Sequence, residues 1–303
     1  MYIAVLMIDF SKAFDSVCHT TLTSKLKAMG ISGDSLEWCI DYLSERKQFT
    51  TIQNEKSSLA AVDQGVPQGS LLGPRFYNFH ANDLPDASGD HAEIEMFADD
   101  TTGYCYGSNV DSVMSNLQKL CNSLYKWAKR NGMVIHPGKT KTMLLSRKNF
   151  TGPLLDVAMD GKSIEVVHAH KILGVTIDHK LNWSEHVTKT MKSFSSKVKQ
   201  LKQMQTLPKA TLNKFYHAVI LPSVTYNIAI WGNCSANRLD ELNHLHAEAA
   251  RIIFRLPSTS SNDECLKMAN WRPVLYLYRK RLLCLMHRIF YQEIDSTIYS
   301  RFE

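Results

Sequence analysis

The stretch Phe97-Ala98-Asp99-Asp100 decides how this chain is read, together with Asp9, which ends the apolar run Tyr2 to Ile8. That run is rich in strand formers, too short to span a bilayer, and reads as a strand buried on both faces. Glu93 to Phe97 and Thr101 to Tyr106 read as the arms of a β-hairpin whose tight turn carries two adjacent acids. Neighbouring carboxylates repel and resist ionising together. If the two strands are neighbours, Asp9, Asp99 and Asp100 meet at one end of a sheet, where a divalent cation removes that penalty. Hard oxygen donors suit magnesium or manganese, and two such ions roughly 3.5 to 4 Å apart serve phosphoryl transfer. An Asp-Asp pair is also ordinary turn chemistry, since Asp hydrogen-bonds its own backbone. The residues around the pair have to discriminate.

With 303 residues the chain can bury a sizeable core and is long enough for about two domains. The net charge of +6 is too modest to assign a nucleic-acid partner by itself. Seven scattered cysteines, an odd number without a Cys-x-x-Cys pair, favour free thiols in a reducing compartment over a disulfide framework or zinc module. No segment reaches transmembrane length and the first apolar run lacks a basic leader, so no membrane partner is expected. Because the chain opens inside what should be a central strand, the reading expects a beginning to be missing.

After Asp9, Leu22, Leu26 and Met29 mark one helical face that stops at Gly30, and Leu36, Ile40 and Leu43 mark a second helix from about Asp34. Short strands follow near Phe49 to Ile52 and Leu59 to Val62. The segment Gln64 to Pro74 sets glycines, a proline and Gln68 just before a helix running to about Asp83. Glycines let backbone approach a ligand, a helix N-terminus suits a phosphate, and a plain loop with a proline helix start is the bland alternative. Asp111 to Asn131 is the clearest helix, with Val113, Leu117, Leu120, Leu124 and Trp127 on one stripe and Asp111 or Ser112 as cap. The turn at His136-Pro137-Gly138 leads through Lys139 and Lys141 into a strand; either lysine could face a phosphate, although a solvated turn lysine is commoner. Leu154 to Val167 reads as a hairpin around Asp160-Gly161, and Lys171 to Ile177 as one further strand. From Ser184 the pattern turns helical, with seven lysines and no acid between Lys189 and Lys214, a face that suits a phosphate backbone or simply solvent. His244 and His246 lie about 200° apart on a predicted helix and cannot easily share a metal.

Taken in order, "DFSKAFD" at Asp9, "QGVPQGSLLGP" at Gln64, "FADDT" at Phe97, "HPGKTK" at His136 and "HKILGVTID" at His170 resemble the motif series of reverse transcriptases, in particular those of non-LTR (LINE-type, jockey-like) retrotransposons. The resemblance implies an α+β fold: a polymerase palm, an antiparallel sheet backed by helices, over 1–183 with its primer-grip strands. Thumb-like basic helices over 184–256 and a C-terminal helical segment over 257–303 would follow. It implies RNA-directed DNA polymerase activity, with an RNA template, a DNA primer and deoxynucleoside triphosphates as partners and two Mg2+ or Mn2+ ions as cofactor; the setting it suggests is intracellular, with the nucleus plausible by family and the site of action left open. Carried over residue by residue, Asp9, Asp99 and Asp100 are the catalytic, metal-binding carboxylates. Phe10, Phe14, Gln68, Gly69 and Lys139 would line the incoming nucleotide, with Phe14 as a steric gate against the ribose 2′-OH. Phe97, Ala98, Lys171, Leu173 and Gly174 would lie beside the primer.

Arg75, His80 and His136 depart mildly from the family pattern. The fingers that precede the Asp9 motif in the family, and the endonuclease segment further upstream, are expected to be absent. The competing expectation is a catalytically silent, truncated nucleic-acid-binding remnant of such an element. An RNA-templated RNA polymerase shares the metal logic but is disfavoured by Phe14.

Overall fold

The computed structural model describes residues 1–148 and 156–291. It is a mixed α+β chain that divides into two compact units, Met1–His168 and Ala169–Glu303, each with its own buried apolar cluster. The seven cysteines are all free thiols, and among the described residues no helix is long and apolar enough to cross a membrane.

The first unit runs β1 (Tyr2–Ile8), α1 (His19–Ala28), α2 (Asp34–Leu43), β2 (Lys47–Gln48), β3 (Thr51–Ile52), β4 (Glu55–Lys56), β5 (Ala60–Ala61), α3 (Gly73–Ala81), β6 (Glu93–Phe97), β7 (Asp100–Gly107), α4 (Val110–Arg130), β8 (Lys141–Leu145), β9 (Ala158–Met159), β10 (Lys162–Ser163) and β11 (Glu165–Val166). Its main sheet has the order β11-β8-β1-β7-β6, so the apolar β1 sits in the middle and Ala4 to Ile8 are all buried. β1 pairs antiparallel with β7 and β8, while β11 adds to β8 in parallel, a departure from the wholly antiparallel sheet expected. Alternation decides what each face meets. Ala4, Leu6 and Ile8 join the cluster formed by Leu117, Leu120 and Leu124 of α4, whose expected stripe is fully buried. Gly103 of β7 lies so close to Leu120 that a Cβ would come within 2.6 Å of its Cδ2. The α4 cap is Asn109, whose side chain accepts from the Asp111 amide at 2.8 Å, rather than Asp111 or Ser112.

Other expectations shift. Leu22 and Leu26 are buried in α1, but Met29 is 42% exposed beyond its end, and of the α2 face only Leu43 is buried. The two short strands near residue 50 form one exposed hairpin, β2 with β5 and β3 with β4, around Gln53 and Asn54, both left-handed. Asp160 and Gly161, also both left-handed, turn β9 into β10 as a type I′ signal requires; the start of that expected hairpin, at Leu154, lies outside the described residues.

The second unit runs β12 (Ala169–Ile172), β13 (Val175–Asp178), α5 (Ser184–Gln203), α6 (Lys209–Phe215), a π-helical turn (Tyr216–Ile220), α7 (Leu221–Thr225), α8 (Ile228–Trp231), α9 (Ala236–Phe254), α10 (Asn262–Met268) and α11 (Val274–Phe290). The single strand read over Lys171 to Ile177 is corrected to a hairpin, because Leu173 (φ 44°) and Gly174 (φ 87°) turn the chain back on itself. Two left-handed residues in succession match the twist of the flanking strands. The core of this unit stacks Tyr216 on Trp271 at 4.3 Å and His246 on the same indole at 5.0 Å. The last part of the expected 257–303 segment, beyond residue 291, lies outside the described residues.

Candidate active site

The register of the main sheet brings the motif acids together. Ile8 pairs with Thr101, so Asp9, one residue on, continues β1 towards Asp100 on the neighbouring strand. Asp100 pairs with Phe97 across a two-residue turn made of Ala98 and Asp99. Ala98 is left-handed (φ 53°), which for a residue with a Cβ is a strained position. Asp99 and Asp100 are exposed, and no ion pair engages either carboxylate among the described residues.

Asp9 is held by the loop after α4. The His136 amide donates to the Asp9 carbonyl at 2.9 Å, Phe10 bridges Ile135, and the Asp9 amide reaches Thr140 Oγ1 at 3.4 Å. The same loop brings Lys139 Nζ to 3.9 Å from Asp9 Oδ2, both side chains being well exposed. Lys141, by contrast, is tied to Glu165 at 2.6 Å and to the Gly138 carbonyl at 2.9 Å. Of the two lysines left open by the sequence, Lys139 is the one beside a motif acid.

The donor set fits a hard divalent cation in its chemistry: Asp9 follows the end of β1 and Asp100 opens the adjacent β7, strands about 4.8 Å apart in such a sheet. Among the described residues, however, no group of three or more His, Cys, Asp or Glu side chains converges tightly enough to hold an ion.

Five residues after Asp9, the Phe14 ring is half-buried on the short 3-10 turn Ala13–Ser16. It stacks on Tyr77 of α3 with centroids 4.7 Å apart. Tyr77 is fully buried, its hydroxyl has no hydrogen-bond partner, and burial followed by the nearby Asp99 charge pushes that hydroxyl well above the usual phenol range. The loop before α3 is laid along the same turn. Gly65 N donates to Val17 O and Val66 N to Phe14 O, both at 2.8 Å, and a Cβ on Gly65 would meet the Asp15 carbonyl at 2.7 Å. Glycine is therefore required at 65 by close approach as well as by its positive φ. Gln68 Nε2 donates to Asp15 Oδ1 at 2.8 Å. Both line a cavity of about 960 Å3 with Lys12, Arg46 and Lys47 on its wall. Gly69 is exposed and left-handed, with open space where a Cβ would stand.

The Phe10 side chain is 6% exposed and packs edge-on against Trp127, so its ring supports the Asp9 loop from the core. Phe97 is 67% exposed at the start of the acid turn. In the second unit, Lys171, Leu173 and Gly174 are exposed on the β12–β13 hairpin, whose turn is pinned by the Tyr226 hydroxyl donating to Leu173 O at 2.9 Å. Sequence reasoning missed Tyr77 and the Asp15 partnership with Gln68. An aromatic inside an amphipathic helix reads as ordinary core, and the contact partners are over fifty residues apart.

Residues 1–177 match the family model described as reverse transcriptase (RNA-dependent DNA polymerase). The chain belongs to this family. Among its curated relatives, the RNA-directed DNA polymerase from mobile element jockey of Drosophila melanogaster is 28% identical over 262 residues, covering 82% of this chain and 28% of the relative. The probable RNA-directed DNA polymerase from transposon BS of the same fly is 27% identical over 267 residues, covering 84% and 29%. The chain thus spans less than a third of the length of those relatives, and its likeness to them extends beyond the 177 residues of the family match into the helices of the second unit. Among solved structures, telomerase from Candida albicans in complex with a fragment of telomeric RNA aligns with 99% of this chain and 48% of its own, at a TM-score of 0.46 and 12% identity.

Proposed function

We propose that this chain carries out RNA-directed DNA synthesis, transferring nucleotides from deoxynucleoside triphosphates to a primer 3′-hydroxyl opposite an RNA template, as the polymerase part of a non-LTR retrotransposon. The observation that carries this reading is the register that pairs Ile8 with Thr101, so that Asp9 follows the end of β1 where Asp100 opens the neighbouring strand beside the Ala98–Asp99 turn, in a chain of this family. Asp9 and Asp99, with Asp100, would hold Mg2+ or Mn2+. Bound there, divalent ions favour ionisation of the attacking hydroxyl and neutralise triphosphate charge.

The chain's own residues then bind and orient. Lys139, exposed beside Asp9, faces the phosphate side, while Lys141 is spent on Glu165. Gln68, oriented by Asp15, and Gly69 meet the incoming nucleotide, and the Phe14 ring excludes a ribose 2′-hydroxyl. Phe97 and Ala98 lie beside the primer terminus, and the β12–β13 hairpin with Lys171, Leu173 and Gly174 grips the primer strand. In this reading residues 1–183 are palm and 184–256 thumb, with α5 presenting exposed Lys189, Lys192, Lys199 and Lys202 to a phosphate backbone.

The test is primer extension on poly(rA) with oligo(dT), dTTP and magnesium or manganese, comparing the chain with its Asp99→Ala, Asp100→Ala double variant. Extension that disappears in the variant supports the reading. Primer-template binding that falls with salt, without any extension, would replace it with a silent nucleic-acid-binding remnant.

A further inference from the structure

We infer that Tyr77 sets sugar discrimination through Phe14, as a positioning residue that holds the gate ring in place without touching substrate. The inference rests on the nucleotide-transfer reading above and adds a residue to it. Phe14 projects from a turn of four residues, Ala13–Ser16, which begins at a left-handed Lys12 (φ 49°). So short a turn offers the ring little local support, and a phenylalanine at χ1 has staggered alternatives into which a pressing 2′-hydroxyl would push it. Within the apolar cluster that Phe14 packs against, one member offers the ring a flat surface: the Tyr77 ring, 4.7 Å away at an interplanar angle of 28°.

Tyr77 is itself enclosed. It is 0% exposed in α3, and its neighbour Phe76 is 3% exposed and packed against Tyr42 of α2. The position of Tyr77 does not come from its hydroxyl, which is buried and bonds to nothing among the described residues. Buried hydroxyls are ordinarily paired, so packing of the ring is what places it. A gate excludes the 2′-hydroxyl only while the ring behind it cannot yield, and the stacked pair supplies that resistance. The discriminating unit is the pair of rings, and the ring of Tyr77 rather than its oxygen is what matters.

The experiment measures single-nucleotide incorporation of dTTP against UTP on poly(rA)/oligo(dT), as a ratio of kcat/KM, for the intact chain and four variants. Tyr77→Leu is expected to lower the dTTP:UTP ratio roughly two- to tenfold, the range that an aromatic pair contributes. Tyr77→Phe keeps the ratio. In a Phe14→Ala background the further change Tyr77→Leu leaves the ratio where Phe14→Ala put it, because the two act as one unit. If Tyr77→Leu does not fold, as judged by its melting profile, Tyr77→Met fills the same volume without a ring and replaces it. An unchanged ratio in the ring-less variant, or an equal further drop in the Phe14→Ala background, overturns the inference while leaving the transfer reading intact. An intact chain that incorporates neither nucleotide overturns the transfer reading, and the gate with it.

Discussion

At Gln68 the carboxamide is oriented by Asp15, since its nitrogen donates to Asp15 Oδ1 at 2.8 Å. Under the proposed function, Asp15, the last acid of the "DFSKAFD" segment, would therefore act on the nucleotide site through Gln68 without being a metal ligand. Asp15→Ala is expected to raise KM for dTTP about three- to tenfold with little change in kcat, the effect of one lost orienting hydrogen bond of about 1 kcal/mol. Asp15→Asn, which can still accept through Oδ1, recovers most of the loss. Steady-state primer extension measures both, and a fall in kcat at constant KM would assign Asp15 to the chemical step instead. The same scale holds the one lysine question that sequence left open. Lys139 and Lys141 are two residues apart and indistinguishable by pattern, and their ion pairs separate them, Lys139 with Asp9 and Lys141 with Glu165.

Among the elements, the β12–β13 hairpin shows how a short motif acquires its shape from a distant partner. "HKILGVTID" alternates well enough to be one strand, yet Leu173 and Gly174 reverse it. The reason lies in Tyr226, whose hydroxyl donates to Leu173 O and whose ring lies where a side chain on residue 174 would go, 2.8 Å from an ideal Cβ. Gly174→Ala meets both the positive φ and that ring, and is expected to destabilise the second unit by about 1–3 kcal/mol. Thermal melting with a probe in the second unit checks this, and an unchanged melting temperature would mean that the hairpin can re-form around Tyr226. A comparable cross-link serves the first unit, where Lys25 of α1 reaches Asp83 at 2.6 Å while Trp127 of α4 donates to the same carboxylate at 3.0 Å.

For the whole molecule, each unit buries a histidine that must stay neutral. His80, fully buried, is pushed down to about 4 by burial and then by the Lys25 charge. His246, 1% exposed and held between the Tyr216 hydroxyl and the Arg272 carbonyl, is likewise pushed down to about 4, chiefly by burial. His186 and His217 shift in the same direction, with burial the leading cause. Between pH 6.5 and 4 the unfolded chain binds protons that the folded histidines refuse, so stability is full above 6.5 and declines as pH falls towards 4. Each of the two buried rings contributes up to about 3 kcal/mol to that decline. Melting temperature measured from pH 7 to 4.5 should fall, and His80→Gln with His246→Gln should flatten the profile. An equally steep profile in the double variant would place the acid sensitivity in other groups.

Much of this was present in sequence because it is local. The seven-residue apolar β1, the α4 stripe and the Asp160-Gly161 turn follow from side-chain period and backbone sterics acting over a few residues, and the motif acids follow from where the apolar runs end. By itself the sequence determined the family, the α+β class, the place of Asp9 at the end of a buried strand and the hairpin that carries Asp99 and Asp100. Tertiary structure alone decided the partners: Asp15 for Gln68, Tyr77 for Phe14, Lys139 for Asp9 and Tyr226 for the Leu173–Gly174 turn. Those contacts join residues some fifty to one hundred and thirty positions apart, and no period within a segment encodes which distant side chain will be packed against it.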